Sequence, residues 1–419
     1  MSVIDSFMLA PLGTVPLAAA SLTQSVLVIF YAGLYGFIGA VGPLAGHAHG
    51  ADEPHRLSEV LLHGLLLGLG GGFIGACGMA DVLYLLPYAH QPQEVLDVLP
   101  KYWLAMSALL VPYTMSMVVK LFLDSIGRPW TSALLTLLPV PINIPLNWML
   151  IYGNWGFPAY GLLGAGIASF ASVLAGLIIM LLYLKLAPSM ALYRRSFRFS
   201  RRSLSRLTRE GVPMAIQYLS EGGAVAIAGI LIGLLGATAL AANQIVFSLA
   251  VLIYMVPLGM AAAVSIRISQ AIGGGAPHRA RSVGLAGLGV VTLWMIGFTI
   301  LMVGWGDGIA RLFLDEPEVI AAATAIFVTV GVMQIFDGVQ SVALGALRGV
   351  LDNDWPTRIS LVAYWLVALP LSIVFGFKLH YGAPGVWAGF GAGLAVAAIL
   401  LFWRFLRLTR SAEQLSRHS

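Results

Sequence analysis

Four carboxylates lie within long apolar stretches of this 419-residue chain: Asp5, Asp81, Glu221 and Asp337. An ionisable group at membrane depth costs at least about 2.5 to 3.5 kcal/mol by insertion scales and therefore marks a functional position by default. In a polar cavity, such a carboxylate can bind a metal cation or exchange a proton. The alternative is that each one only caps a helix or pairs with a neighbour, and Asp81, next to a predicted loop, fits this alternative equally well.

Two of these carboxylates share a helix face with an amide. Gln334 precedes Asp337 by three residues, and Gln217 precedes Glu221 by four. Residues three and four apart are neighbours on a helix surface. Both polar stripes therefore predict faces that are directed into a cavity rather than towards lipid.

Another possible set of ligands contains amides, aromatic rings and methionines. Asn143 and Asn147 share a helix face, where their oxygens could complete the shell of a hard cation or accept a hydrogen bond from a substrate. Hydrogen bonding between helices explains them equally well. Tyr31 and Tyr254 could line a pocket for flat organic cations through cation–π contacts, although such residues individually more often pack. The same holds for Tyr35, Met106, Tyr113 and Met117.

The elements that must position these residues are membrane helices. The chain is 59% hydrophobic and 10% charged, whereas soluble domains contain about 25% charged residues. This composition excludes an ordinary soluble enzyme and a disordered chain. The single cysteine, Cys77, allows no internal disulfide. A span needs about 20 apolar residues, and eleven stretches qualify: 17–46, 57–88, 95–122, 130–152, 162–186, 212–234, 238–270, 279–304, 318–349, 356–379 and 384–406.

The placement of basic residues predicts the orientation. Eight of the 23 Lys and Arg residues fall between 185 and 209; if that segment is cytoplasmic, twenty of the 23 lie on its side of the membrane. An even number of crossings must then precede it. Residues 1–13 are apolar but too short to span and lack the pattern of a signal peptide. We expect them to be the end of a truncated first helix, which gives twelve crossings with both termini cytoplasmic in the inner (plasma) membrane.

The chain also contains an internal repeat. Residues 12–56 align without a gap onto 235–279, with 16 of 45 positions identical, including Pro54-His55-Arg56 with Pro277-His278-Arg279. The repeat predicts two six-helix bundles of equal orientation, as in transporters that alternate access by rocking. The predicted domains are an N-lobe (1–186), a basic cytoplasmic loop (187–210), a C-lobe (211–406) and a cytoplasmic tail (407–419).

Several scattered motifs resemble those of one family. They are Asp5-Ser-Phe-Met, Leu12-Gly13, Leu17-Ala18-Ala19, Pro213, Glu221, Leu240-Ala241-Ala242-Asn243-Gln244, Pro257-Leu258-Gly259, Asp337, Ala346-Leu347-Arg348-Gly349, Pro356 and the Gly-rich start of the last helix. With them the chain resembles, over almost its whole length, the multidrug and toxic compound extrusion (MATE) transporters of the NorM-like branch.

This resemblance implies antiport, in which organic and often cationic compounds are exported in exchange for Na⁺ or H⁺. It places the coupling carboxylates at Asp5, Glu221 and Asp337, with Glu221 and Asp337 as ligands if the ion is Na⁺. Asn143 and Asn147 match the asparagines of the amino-terminal cavity. It also implies a monomer with no resident cofactor and no nucleic-acid partner.

Three other functions remain as alternatives. A flippase for lipid-linked saccharides on a related fold should have a cavity rich in Lys and Arg, which are scarce within these spans. A membrane-embedded enzyme lacks support because the sequence has no P-loop, nucleophile elbow or His-Glu-x-x-His motif. A passive channel would show no concentrative transport. The sequence therefore predicts a transporter and not an enzyme.

Overall fold

The structure, a computed structural model, describes residues 2–89, 92–194, 199–313 and 316–416. These residues are almost entirely helical. Within the described residues, eleven helical segments are long and apolar enough to cross a membrane, and each coincides with one of the eleven stretches predicted from the sequence. The protein is therefore an all-α, multi-pass membrane protein, as predicted.

The first of two compact units comprises Met1–His49 and Glu53–Ala215. Helix α5 (Gln93–Ser125) lies at its centre and packs against α2 (Thr14–Ile38), α4 (Pro54–Val82) and α8 (Leu162–Leu186). Prolines break two of the spans into shorter helices, because a proline lacks the N–H that the helix needs. The helices are α1 (Ser2–Leu9), α2 (Thr14–Ile38), α3 (Val41–Gly50), α4 (Pro54–Val82), α5 (Gln93–Ser125), α6 (Pro129–Leu137), α7 (Pro139–Tyr152) and α8 (Leu162–Leu186).

The second unit comprises Gly50–Asp52 and Ile216–Ser419. Helix α12 (Pro317–Gly349) lies at its centre and packs against α10 (Ala237–Gly273), α11 (Pro277–Arg311) and α15 (Gly382–Ser416). One span, Asp354–Lys378, contains two π-helical stretches, Val362–Ala368 and Val374–Lys378. The helices are α9 (Arg201–Gly233, which begins in the first unit), α10 (Ala237–Gly273), α11 (Pro277–Arg311), α12 (Pro317–Gly349), α13 (Asp354–Leu361), α14 (Leu369–Ile373) and α15 (Gly382–Ser416).

The internal repeat is visible in the backbone. Gly13 (φ 105°, ψ −179°) precedes α2, and its repeat partner Gly236 (φ 113°, ψ 171°) precedes α10 in almost the same conformation. Both have a positive φ, which glycine adopts without steric cost. Pro54 and Pro277, also repeat partners, occupy the start of α4 and α11. Identical residues at these positions thus adopt similar local structure in the two units.

The basic segment differs from the predicted loop. Helix α9 begins at Arg201, so residues 201–210 are helical, although the sequence analysis placed them in the loop 187–210. The Oγ of Ser200 accepts a hydrogen bond from the N–H of Ser203 (3.3 Å) and caps this helix. Leu207, only 2% exposed, anchors the same turns in the first unit. Arg195 and Arg198 of the basic segment, and residues 417–419 of the tail, lie outside the described residues.

Candidate functional site

In the first unit, the Asp5 carboxylate is buried in a cluster of hydrogen-bonding side chains. One oxygen accepts a hydrogen bond from Nδ2 of Asn147 (2.6 Å), and the other accepts one from Oγ of Ser169 (3.0 Å). Asn147 also donates to Oδ1 of Asn143 (3.0 Å), and Asn143 donates to Ser169 (3.3 Å). Both asparagines are fully buried. The structure therefore brings together three residues that the sequence predicted and adds Ser169.

Three helices position this cluster. Asp5 lies on α1, Asn143 and Asn147 on α7, and Ser169 on α8. The Tyr152 hydroxyl at the end of α7 donates to the carbonyl of Met8 (2.6 Å), near the C-terminal end of α1. The short α1 is thus fixed by polar contacts at Asp5 and near its C-terminal end.

A cavity of about 300 Å³ adjoins the Asp5 carboxylate. Its wall combines this acid with aromatic rings and flexible thioethers. The rings of Tyr31 and Tyr113 lie 4.2 Å apart between centroids, and Met106 and Met117 line the same space. Methionine adapts to irregular ligands, and aromatic faces attract cations. This lining suits a bulky organic cation better than an anion.

In the second unit, Glu221 of α9 and Asp337 of α12 line one cavity of about 140 Å³. Both carboxylates are partly buried. Nε2 of Gln217 lies 3.4 Å from Oε2 of Glu221. The remaining wall is largely apolar and aromatic, with Phe247, Trp387 and Phe390. Two acids from different helices therefore share one small, mostly apolar space.

Tyr254 and Gln334 lie in the same cavity. The Tyr254 hydroxyl faces Glu221 and forms a hydrogen bond with Oγ of Ser341 (2.8 Å). Gln334 donates to the carbonyl of Ala250 (2.9 Å) and so ties α12 to α10. Tyr254 is also the repeat partner of Tyr31, which lines the cavity of the first unit. The cavity of each unit therefore contains a tyrosine at the same repeat position together with at least one acid.

Sequence reasoning missed two further residues next to Glu221. The Tyr364 hydroxyl faces the carboxylate and accepts a hydrogen bond from Gln340. Tyr364 lies in the π-helical stretch before Pro370, whose missing N–H is the one sequence signal for the distortion. Arg348 acts on Glu221 as a nearby positive charge and donates to Gln217 (2.5 Å). Arg348 lies in the last turn of α12, and its place in the sequence did not indicate a contact with Gln217.

The oxygen atoms at both sites fit a small cation. Among the described residues, Oδ1 of Asn147 and Oε1 of Gln334 are buried and receive no hydrogen bond. A buried acceptor without a donor is costly, and a hard cation such as Na⁺ is stabilised by such amide and carboxylate oxygens. A cluster of three or more His, Cys, Asp or Glu residues does not occur in the described part of the chain. These amide and carboxylate oxygens are therefore candidate ligands for a hard monovalent cation.

Of the four carboxylates found in the sequence, Asp81 stands apart. It lies exposed near the end of α4 and does not belong to the lining of either cavity described above. Asp5 is in one unit, and Glu221 and Asp337 are together in the other.

The chain is similar in sequence to known proteins over nearly its full length. The MatE family model matches residues 1–149 and 213–374. A probable multidrug resistance protein NorM from Rhizobium meliloti is 32% identical over 97% of this chain and 89% of its own length. Its namesake from Rhodopseudomonas palustris is 33% identical over 98% of this chain and 88% of its own length.

The fold is that of known structures as well. A crystal structure of MATE in the bent conformation matches with a TM-score of 0.90 at 19% identity, covering 99% of this chain and 92% of the other. The matched family consists of transporters and not of enzymes, as the sequence predicted. Both the resemblance seen in the sequence and the predicted fold class are thus confirmed. The chain belongs to the MatE family, the multidrug and toxic compound extrusion transporters.

Proposed function

We propose that this protein is a secondary antiporter that exports organic, mostly cationic compounds in exchange for Na⁺ or H⁺. The two relatives described above are named as probable multidrug resistance proteins. The observation that carries the proposal is that each unit has its own cavity with an acid set among aromatic or apolar side chains. Such a lining can attract a cation and also accept the hydrophobic body of a drug.

Antiport requires that the ion and the drug favour different states of the transporter. Glu221 and Asp337 share a cavity of about 140 Å³, which is large enough for a small ion and too small for most drugs. Asp5 adjoins the larger cavity of about 300 Å³. We therefore assign ion coupling to Glu221 and Asp337, and either ion or drug binding to Asp5 with its asparagines. Tyr31, Tyr254 and Gln334 belong to the two linings, and Gln217 contacts Glu221.

A flippase for lipid-linked saccharides is the second candidate. It needs positive charges to hold diphosphate groups in its cavity. Among the described residues that line the two cavities, Lys and Arg do not occur, whereas Asp5, Glu221 and Asp337 do. The charge of both linings therefore favours cation export.

The cellular setting follows from the same proposal. The bias of basic residues supports an inner (plasma) membrane location with both termini in the cytoplasm. Each unit contains its own carboxylate site in a single chain, which supports a monomer as the working form.

Everted membrane vesicles with a fluorescent organic cation provide the test. A Na⁺ gradient and a pH gradient are imposed separately, and uptake of the dye is followed by fluorescence. We expect dye movement under one of the two gradients, which identifies the coupling ion. The same movement without any gradient would indicate a passive channel, and no movement under either gradient would contradict cation antiport.

A further inference from the structure

We propose that a separate cavity in the first unit binds the phosphate group of an anionic phospholipid. This cavity has a volume of about 360 Å³ and is formed by the end of α3 and the first turns of α4 and α9. None of its lining residues belongs to the two cavities assigned to transport above. The inference is thus independent of the proposed antiport.

The lining carries a net positive charge. Arg56, Arg202 and Arg206 line the cavity together with His47, and Glu59 carries the only carboxylate among the described lining residues. Arginine binds phosphate oxygens through paired, charge-assisted hydrogen bonds. Three guanidinium groups around one cavity therefore suit a phosphate ester.

The arginine side chains are accessible to a ligand. Arg56 forms a 2.8 Å ion pair with Glu53, but its side chain is 63% exposed. The guanidinium has five N–H donors, so it can contact a phosphate while it stays paired with Glu53. Arg202 and Arg206 are also exposed on the first turns of α9. Donors of all three arginines are therefore accessible to a bound anion.

The framework beneath the arginines is fixed by hydrogen bonds. Nε2 of His63 accepts from the N–H of Ser200 (2.9 Å), and its Nδ1 donates to the carbonyl of Glu59 (2.6 Å). The Glu59 carboxylate accepts from the hydroxyl of Ser203 (2.9 Å). These contacts hold the start of α9 against α4. The relative positions of the helix turns that carry the arginines are therefore set before a ligand arrives.

The rest of the lining favours a lipid over a free phosphate ion. Leu44, Val60 and Leu207 contribute apolar surface next to the charged groups. The cavity lies where α3, α4 and α9 begin or end, on the side that the basic residues predict to be cytoplasmic. Anionic headgroups at that leaflet attract basic clusters. A phospholipid satisfies the guanidinium groups and the apolar wall together.

Native mass spectrometry of the full-length protein in detergent tests this proposal. Dioleoylphosphatidylglycerol is titrated, with dioleoylphosphatidylcholine as the zwitterionic comparison. We expect preferential binding of the anionic lipid, weakened at least about tenfold in the triple variant R56Q/R202Q/R206Q. The matched control is R267Q/R279Q/R410Q, which removes the same charge from exposed arginines of the second unit that do not line this cavity. Equal weakening in both triple variants would overturn the proposal.

A single substitution that is expected to strengthen lipid binding keeps the test independent of any misfolding. Glu59→Gln removes the negative charge from the lining and retains an oxygen for the Ser203 hydroxyl. We expect it to strengthen phosphatidylglycerol binding, and unchanged or weaker binding would contradict the site. Inorganic phosphate at millimolar concentration is the second arm. If inorganic phosphate occupies the site as tightly as phosphatidylglycerol does, the site binds free phosphate and the phospholipid assignment is wrong.

Discussion

Arg348 and Glu221 should be energetically coupled through Gln217. Gln217 accepts a hydrogen bond from Arg348 (2.5 Å), and its Nε2 lies 3.4 Å from Glu221. Together with the width of the Gln217 amide, these two lengths place the charges of Arg348 and Glu221 at most about 8 Å apart. At that separation and an effective dielectric constant of about 20, the two charges attract each other by about 2 kcal/mol. This attraction exists only while Glu221 is ionised.

A double-mutant cycle measures this coupling. The free energy of unfolding is determined by denaturant titration in mixed micelles at pH 8 for the wild type, Arg348→Gln, Glu221→Gln and the double variant. We expect a coupling of about 2 kcal/mol, so that Arg348→Gln destabilises the wild type more than it destabilises Glu221→Gln. The positive charge of Arg348 would then be what keeps a carboxylate stable next to Asp337 in a mostly apolar cavity.

The control cycle pairs Glu221→Gln with Arg358→Gln. Arg358 is exposed and stacks on Trp355, with 5.5 Å between its Cζ atom and the ring centroid. We expect the two control substitutions to be additive within about 0.5 kcal/mol. A coupling near zero for Arg348 and Glu221, or one no larger than that of the control cycle, would refute this account of Arg348.

Three further outcomes are expected. Asn147→Ala should lower the free energy of unfolding by about 1 to 3 kcal/mol in the same titration, because Asp5 loses its shortest hydrogen bond; a neutral effect would contradict the cluster. Gly345→Ala should cost about 1 to 3 kcal/mol, since its Cβ would lie 2.3 Å from a backbone oxygen of α10, whereas Gly289→Ala, with open space around it, should be neutral or stabilising. Equal effects of these two substitutions would contradict the packing of α10 on α12. Tyr364→Phe should raise the ion concentration for half-maximal transport about two- to tenfold, measured by dye flux, and an unchanged value would remove this hydroxyl from the ion site.

The spans and the repeat could be predicted because they depend on local composition. Apolar stretches of sufficient length coincide with the eleven helical spans. The pair Gly13 and Gly236 shows the same for turn geometry, since one residue type at the same place in the repeat produces one conformation. The start of α9 was misplaced because the charged residues of its first turns are typical of a loop. The buried Leu207 and the capping hydrogen bond of Ser200 stabilise these turns as a helix.

The carboxylates of the site were also predictable, because charge in an apolar stretch is visible in the sequence alone. Their partners were less so. Ser169 and Arg348 contact residues more than 120 positions away in the chain, and helical periodicity carries no information about such contacts. Tyr364 reaches Glu221 from a π-helical stretch, which shifts the side-chain positions that an α-helix would give.

The most direct test of coupled export is the substitution Asp337→Asn, with Asp307→Asn as its control. Asp337 lines the cavity that it shares with Glu221, whereas Asp307 is exposed and pairs with Arg311 on its own helix. Both variants are reconstituted in proteoliposomes, and export of a fluorescent organic cation is followed under the gradient that drives the wild type. We predict that Asp337→Asn folds but loses gradient-driven export, while Asp307→Asn retains it. Wild-type export by Asp337→Asn would contradict the assignment of ion coupling to this cavity.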